Sequence, residues 1–205
     1  GPQMKFIKKL NIGLVLAIIA ILAVIIYSVN IENERKASKQ EIKKSCEEFI
    51  NITDKYYTLP ENYQTIGEKS QDVDLTNYYT EMENELKTKT INDSATKLQK
   101  TILTEYLKNQ LVDTSKITVS FKREITKISE YKFDGNQVTV TFNSKVTIKQ
   151  KYKDINIEDN TSKEKVNETT FDTEGDTITL EQKDGVWKIV YADLQFNNIN
   201  ALYNM

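Results

Sequence analysis

An uncharged apolar segment near the N-terminus, Leu10–Ile31, constrains this chain more than any other feature of its sequence. Residues 12–29 are almost wholly Leu, Ile, Val and Ala. An α-helix rises about 1.5 Å per residue, so about 20 apolar residues cross a hydrocarbon layer of roughly 30 Å. We therefore expect a single transmembrane helix over residues 10–31, with the rest of the chain beside the membrane.

The charges that flank this segment predict its orientation. Lysines precede it with no acidic residue among them, whereas charges of mixed sign follow it. Because cationic flanks stay in the cytoplasm, we expect a cytoplasmic tail over residues 1–9 and an extracellular main domain. Gly1-Pro2-Gln3 before Met4 is typical of an expression scar. A cleaved signal peptide is the alternative, but Ala20 and Ala23 lack the small-x-small spacing of a cleavage site.

The composition excludes several kinds of chemistry. The chain has no His and a single Cys, which removes Ser-His-Asp and Cys-His catalysis, imidazole metal sites and an internal disulfide. All acidic residues follow residue 31, so the outer part is net acidic, which argues against a nucleic-acid-binding surface. We expect no catalytic residue, metal or cofactor. Abundant Lys, Asn and Ile are typical of low-GC bacteria.

Three segments after the apolar run carry apolar residues at helical spacing. They are residues 32–57, residues 74–88 with Asp74 as candidate N-cap, and Ala95–Val112 after a break at Asn92-Asp93-Ser94. No strong breaker precedes the first, so we expect the membrane helix to continue into it. Cys46 lies on its apolar stripe, which favours a buried thiol over pairing between chains.

The apolar period then switches to two, which is typical of β-strands. A hairpin turn is expected at Asp134-Gly135-Asn136 and a bulge near residues 125–133. Polar residues 154–165 are expected to separate the second strand from the third, and residues 177–182 form a further strand or the continuation of the third. The expected strands are 117–133, 138–152, 166–171, 177–182 and 186–196.

These elements predict an α+β fold with two or three helices packed on a curved antiparallel sheet of four or five strands. The expected organisation is a helical stalk over residues 32–60, one extracytoplasmic domain over 61–196 and a C-terminal tail over 197–205. Aromatic residues on these elements are the candidates for a pocket or an interface. They are Tyr78, Tyr79, Tyr106, Phe142 and Trp187.

The closing segment, Gln182–Val190, reads Q-K-D-G-V-W-K-I-V and resembles the last hairpin of domains similar to nuclear transport factor two. That resemblance implies a cone-shaped sheet with Trp187 packed inside it. Enzymes of this superfamily usually work with His and Asp in the cone, and this chain has no His, so no catalytic residue is carried over. Its layout is similar to the VirB-eight-like scaffold subunits of conjugation and type IV secretion machines.

The resemblance implies a non-enzymatic, membrane-anchored assembly subunit that contacts other envelope-complex proteins and copies of itself. One alternative is a ligand-binding or sensing domain with a pocket lined by Tyr106, Phe142 and Trp187. A further alternative is an acid-dependent hydrolase, which only the abundance of carboxylates supports. A pilin-like filament subunit is a further alternative. This chain, however, lacks the processing site and the Glu that the helix of such a subunit carries, since no acid lies between Met4 and Ile31.

Overall fold

The computed structural model of this protein describes residues 11–67 and 73–195. The expected cytoplasmic tail, Leu10, Phe196 and the expected C-terminal tail lie outside the described residues. The fold is α+β, as the sequence predicts, with a long N-terminal helix, two further α-helices and an open four-stranded antiparallel sheet. The chain divides into two compact units, the first ending at Glu41 and the second beginning at Ile42.

Helix α1, Ile12–Lys55, contains the apolar segment. Among the described helices it is the one long and apolar enough to cross a membrane, and none of that window is buried inside the protein. The large apolar side chains between Ile12 and Val29 are exposed. Such a surface is stable against hydrocarbon rather than water, which is consistent with single-pass membrane anchoring.

The part of α1 within the second unit has a different pattern. Ile42, Cys46, Phe49 and Ile50 follow the i, i+4, i+7, i+8 spacing of one helical face, and all four are buried. One stripe therefore enters the core while charged residues occupy the opposite face. The prediction of a buried Cys46 is confirmed, and desolvation raises the pKa of its thiol to about 12.

Two further α-helices and a short 3₁₀ helix, Glu61–Tyr63, precede the sheet. Helix α2 spans Thr76–Lys87, and Leu75 rather than Asp74 occupies its N-cap position. The carboxylate of Asp74 instead accepts a hydrogen bond from the Thr76 N–H at 2.9 Å. Helix α3 spans Asp93–Val112, and its predicted cap is confirmed, because Asn92 Oδ1 accepts from the Ala95 N–H.

The sheet has the order β1-β2-β3-β4 and is antiparallel throughout. Residues 177–182 continue the third strand, and the polar stretch 154–165 is mostly strand rather than a separator. Residues 154–165 are polar because both faces of the hairpin are exposed there. The last strand ends before the expected position. The strands are β1 Lys116–Asp134, β2 Gln137–Asn156, β3 Thr161–Lys183 and β4 Val186–Asp193.

Bulges interrupt the ladders where the apolar period slips. The predicted irregularity in β1 is confirmed by register shifts between Ile125 and Lys127 and between Ile128 and Glu130. A further shift on β3 sets Glu174 and Gly175 against one residue of β2, and Gly175 has a φ of 76°. A bulge adds one residue to its strand, so two side chains that are three residues apart across the bulge face the same side of the sheet.

The core of the second unit lies between the helices and one face of the sheet. Buried and less buried side chains alternate along β2 without interruption over residues 138–148, so every second side chain lies in the core. Tyr57 stacks on Phe121 with ring centroids 4.1 Å apart and meets Tyr106 edge-on at 5.3 Å. These aromatic contacts join the segment that follows α1 to α3 and β1.

Candidate functional site

The five aromatic residues that the sequence offers as site candidates belong to, or pack against, one core cluster. Tyr106 on α3, Phe142 on β2 and Trp187 on β4 are buried. Tyr78 and Tyr79 on α2 are half-buried. The structure therefore brings them together as parts of a packed core, and none of them lines the cleft of the second unit.

Hydrogen bonds hold two of these rings in place. The hydroxyl of Tyr106 shares a hydrogen bond of 2.6 Å with Thr118 Oγ1. The hydroxyl of Tyr78 donates to the carbonyl of Thr58 at 2.6 Å. The indole Nε1 of Trp187 is buried, and no acceptor for it lies within the described residues. A buried polar group without a partner is destabilising, so Trp187 contributes mainly through its apolar surface.

A buried ion pair joins strands β1 and β3. Arg123 on β1 and Asp176 on β3 have side chains that are 1% and 0% exposed, and Arg123 Nη1 lies 3.4 Å from Asp176 Oδ2. Removing two charges from water is expensive unless their remaining donors and acceptors are also satisfied. The pair therefore needs a shell of further polar partners.

Those partners come from separate parts of the sheet. Asp176 Oδ2 accepts from Ser144 Oγ at 2.5 Å and from Thr173 Oγ1 at 2.6 Å. Asp176 Oδ1 accepts from the Gln195 N–H at 2.6 Å, and Arg123 Nη2 donates to the Gln195 carbonyl. The bulge at Gly175 lets Thr173 and Asp176 both face inward. This network joins three strands to the segment after β4.

Asp54, in the last turn of α1, extends the network to the helix. Its Oδ2 accepts from the backbone N–H of Arg123 at 3.1 Å, while its Oδ1 is buried without a partner in the described part of the chain. Burial raises the pKa of Asp54 to about 7, although the Arg123 N–H and guanidinium oppose that shift. The carboxyl group therefore titrates near neutral pH.

An open cleft of about 340 Å³ lies in the second unit, between α1 and β1. One wall is formed by Glu47, Ile50 and Asn51 of the helix, and the other by residues 122–126 of the strand. Lys122 and Glu124 form a surface ion pair at 3.0 Å, and Ile50 and Ile125 contribute apolar surface. The cleft is polar at its rim and apolar in part of its lining.

Neither the network nor the cleft contains a residue that sequence reasoning selects as a candidate. A signal for the network is nevertheless present. Ser144 interrupts the buried apolar alternation of residues 138–148, and Asp176 stands two residues before the buried Ile178 in β3. A polar residue in a buried apolar stripe indicates a buried hydrogen-bonding partner. Arg123 carries the same signal, because it occupies the inward position between Phe121 and Ile125 in a regular part of β1.

Residues 11–67 and 73–195 contain no group of three or more Cys, Asp or Glu side chains placed to hold a metal ion. No protein-family model matches the chain, and no curated protein matches it significantly. The resemblance to domains similar to nuclear transport factor two, and to VirB-eight-like subunits, therefore stays a prediction from residues 182–190 and the layout.

Proposed function

We propose that this protein is a non-enzymatic, membrane-anchored assembly subunit of a bacterial cell-envelope machine, of the kind used in conjugation or type IV secretion. The observation that carries the proposal is an exposed apolar span in α1 on the same chain as an α+β unit with one buried apolar core. Its partners are the membrane, other envelope proteins and further copies of itself.

The filled core favours assembly over ligand sensing. A sensor of the kind considered above would keep space around Tyr106, Phe142 and Trp187, whereas all three are buried core residues. The absence of His from the sequence also favours a role without acid-base catalysis by imidazole.

An exposed arm supports contact with other proteins. Beyond Tyr152, the last residue of β2 that pairs with β1, the β2–β3 hairpin is two-stranded. Its apolar residues Ile155 and Ile157 are 68% and 90% exposed. Apolar side chains on a protruding element gain stability when a partner covers them, so the arm is a suitable contact surface for a neighbouring subunit.

In-cell photocrosslinking tests this proposal. We expect a photoreactive residue at Ile157 of the full chain to give discrete products with envelope proteins or with a second copy, whereas the same residue at the buried Leu103 gives none. Mass measurement of the chain in lipid nanodiscs should show oligomers. A monomer at all concentrations, without crosslinked partners in cells, would contradict the proposal.

A further inference from the structure

One carboxyl oxygen in the last turn of α1 is buried without a partner. Asp54 is 9% exposed, and its Oδ1 has no hydrogen-bond donor within the described residues. The other oxygen, Oδ2, accepts from the backbone N–H of Arg123 at 3.1 Å. β1 is an edge strand that pairs with β2 on its other side, so this N–H points toward the helix. The side chain of Asp54 therefore ties the end of α1 to β1 through one of its two oxygens.

The cation beside Asp54, Arg123, is engaged by another carboxylate. Arg123 Nη1 faces Asp176 Oδ2 at 3.4 Å, and Nη2 donates to the carbonyl of Gln195. An ionised Asp54 would share this arginine with Asp176, and its Oδ1 would be a buried charge without a donor. Burying such a charge is costly, so the geometry favours the protonated form of Asp54.

The other charged groups around Asp54 do not reverse that preference. On β1, Lys122 favours ionisation of Asp54 and Glu124 opposes it, and these two side chains pair with each other at 3.0 Å. Burial raises the pKa of Tyr57, which follows α1, so its hydroxyl stays neutral. Lys55 is directed to α2, where it pairs with two glutamates. Burial therefore dominates and raises the pKa of Asp54 to about 7.

The open cleft between α1 and β1 brings solvent close to this carboxyl group. Ile50 and Asn51 line the helix side of the cleft and lie one helical turn before Asp54, and Arg123 belongs to the opposite wall. α1 ends at Lys55, and the ends of helices open at a lower free energy than their interiors. A displacement confined to the last turn of α1 therefore connects Asp54 to the cleft.

Opening of this turn and ionisation of Asp54 are thermodynamically coupled. The pKa of Asp54 is about 7 in the closed form and near 3.9, the ordinary value, once water surrounds the carboxylate. Loss of the proton therefore favours the open form, and the ratio of open to closed chains rises about tenfold per pH unit between these two values. The ratio levels off above about pH 7, because Asp54 is then ionised in both forms.

We propose that the last turn of α1 is a pH-sensitive joint, which is closed against β1 while Asp54 is protonated and opens into the cleft when Asp54 ionises. An acidic medium tightens the contact between the long helix and the sheet, and a neutral or alkaline medium loosens it. This device goes beyond the assembly function and does not depend on it.

Native-state hydrogen exchange of the full chain in zwitterionic nanodiscs tests the joint. Mass spectrometry compares the backbone amides of residues 53–57 with those of core residues 138–142, after correction for the intrinsic rate at each pH. We expect the protection of residues 53–57 to fall about fiftyfold from pH 5 to pH 7 and about twofold more by pH 8. Urea at about 1 M should accelerate exchange of residues 138–142 but not of residues 53–57, because a local opening exposes little surface.

Two variants separate Asp54 from the exposed carboxyl groups of the cleft. Asp54→Asn keeps an acceptor for the Arg123 N–H but cannot ionise, so the protection of residues 53–57 should not depend on pH in this variant. Glu47→Gln removes an exposed carboxyl group from the same cleft and should keep the pH dependence of the parent chain. Fluorescence of the buried Trp187 verifies that each variant is folded.

Protection of residues 53–57 that is constant from pH 5 to pH 8, or that changes equally in Asp54→Asn, would overturn the proposal. Exchange of these residues that follows residues 138–142 in urea would also overturn it, since the whole unit would then unfold together. Absence of crosslinked partners at Ile157 contradicts the assembly function alone, so the two failures are distinguishable.

Discussion

The two halves of the β2–β3 hairpin share the same strands and the same antiparallel pairing but differ in environment. In the half that contains Val146 and Asp176, alternate side chains are buried and the polar ones belong to a closed hydrogen-bond network. In the distal half, residues 153–166, which includes Asp159 at the tip of the arm, both strand faces are exposed. The two halves thus share the same strand pairing. The contribution of each half to the free energy of unfolding depends on whether other residues cover its side chains.

The largest expected effect separates two Asp residues of this hairpin. Asp176→Ala leaves Arg123 buried without its counterion and should lower the free energy of unfolding by about 3–5 kcal/mol. The matched change Asp159→Ala, at the exposed tip of the arm, should alter it by less than about 0.5 kcal/mol. Urea unfolding of the full chain in non-ionic micelles, followed by Trp187 fluorescence, measures both. A loss at Asp159 equal to that at Asp176 would contradict the comparison.

A second matched pair removes apolar surface from each half. Val146 is 0% exposed and Val166 is 57% exposed. Val146→Ala deletes buried methyl groups and leaves a cavity, so the expected loss is about 1.5–3 kcal/mol. Val166→Ala should cost less than about 0.5 kcal/mol. The same unfolding experiment applies, and similar losses at the two sites would show that the distal half of the hairpin is covered.

The stability that the buried hydrogen-bond network contributes also depends on pH. Burial raises the pKa of Asp54 to about 7, above the value near 3.9 of an unfolded chain. Between these pH values the native state holds a proton that the unfolded state releases. The contribution of Asp54 to stability therefore falls as the pH rises from about 4 to about 7, and it stays low at higher pH.

Asp54→Asn should remove this dependence while keeping an acceptor for the Arg123 N–H. We expect the variant to be more stable than the parent chain by about 1–2 kcal/mol at pH 8, with the difference disappearing toward pH 4. Urea unfolding at a series of pH values provides the measurement. A variant that is less stable than the parent at pH 8 would show that the charged carboxylate is stabilising.

The smallest expected effect concerns the bulge that turns Asp176 inward. Gly175 has a φ of 76°, and a Cβ added there meets no atom within 4 Å. Gly175→Ala should therefore cost only the backbone strain, about 1 kcal/mol. Gly175→Asn is the control and should cost less, because Asn tolerates this conformation better. Equal stability of Ala and Gly at this position would mean that the bulge relaxes.

The sequence predicts the periodic elements of this fold well because periodicity reports burial directly. The α+β class, the helix end at Val112 and the cap at Asn92 follow from the spacing of apolar and capping residues. The distal arm was missed as strand, since residues 154–165 have no buried face and hence no apolar alternation. A polar strand and a polar loop have the same composition.

The candidate site was less accessible to sequence reasoning. Tyr106, Phe142 and Trp187 are conspicuous in the sequence, but an aromatic residue in an apolar stripe is equally suited to a core and to a pocket. The Arg123–Asp176 pair joins positions far apart in the chain, and a pairing of this kind depends on sheet register. The cleft depends on strand order, since only an edge strand has a backbone edge to offer.

The most direct test of the anchored-subunit account is impermeant maleimide labelling of the Ile157→Cys chain in intact cells, followed by alkaline extraction of membranes. Cys46 is buried, so the parent chain is an unlabelled control. The account predicts that Ile157→Cys is labelled without permeabilisation and that the intact chain stays in the membrane pellet. A soluble chain lacking residues 10–31, or labelling that requires permeabilised cells, would contradict it.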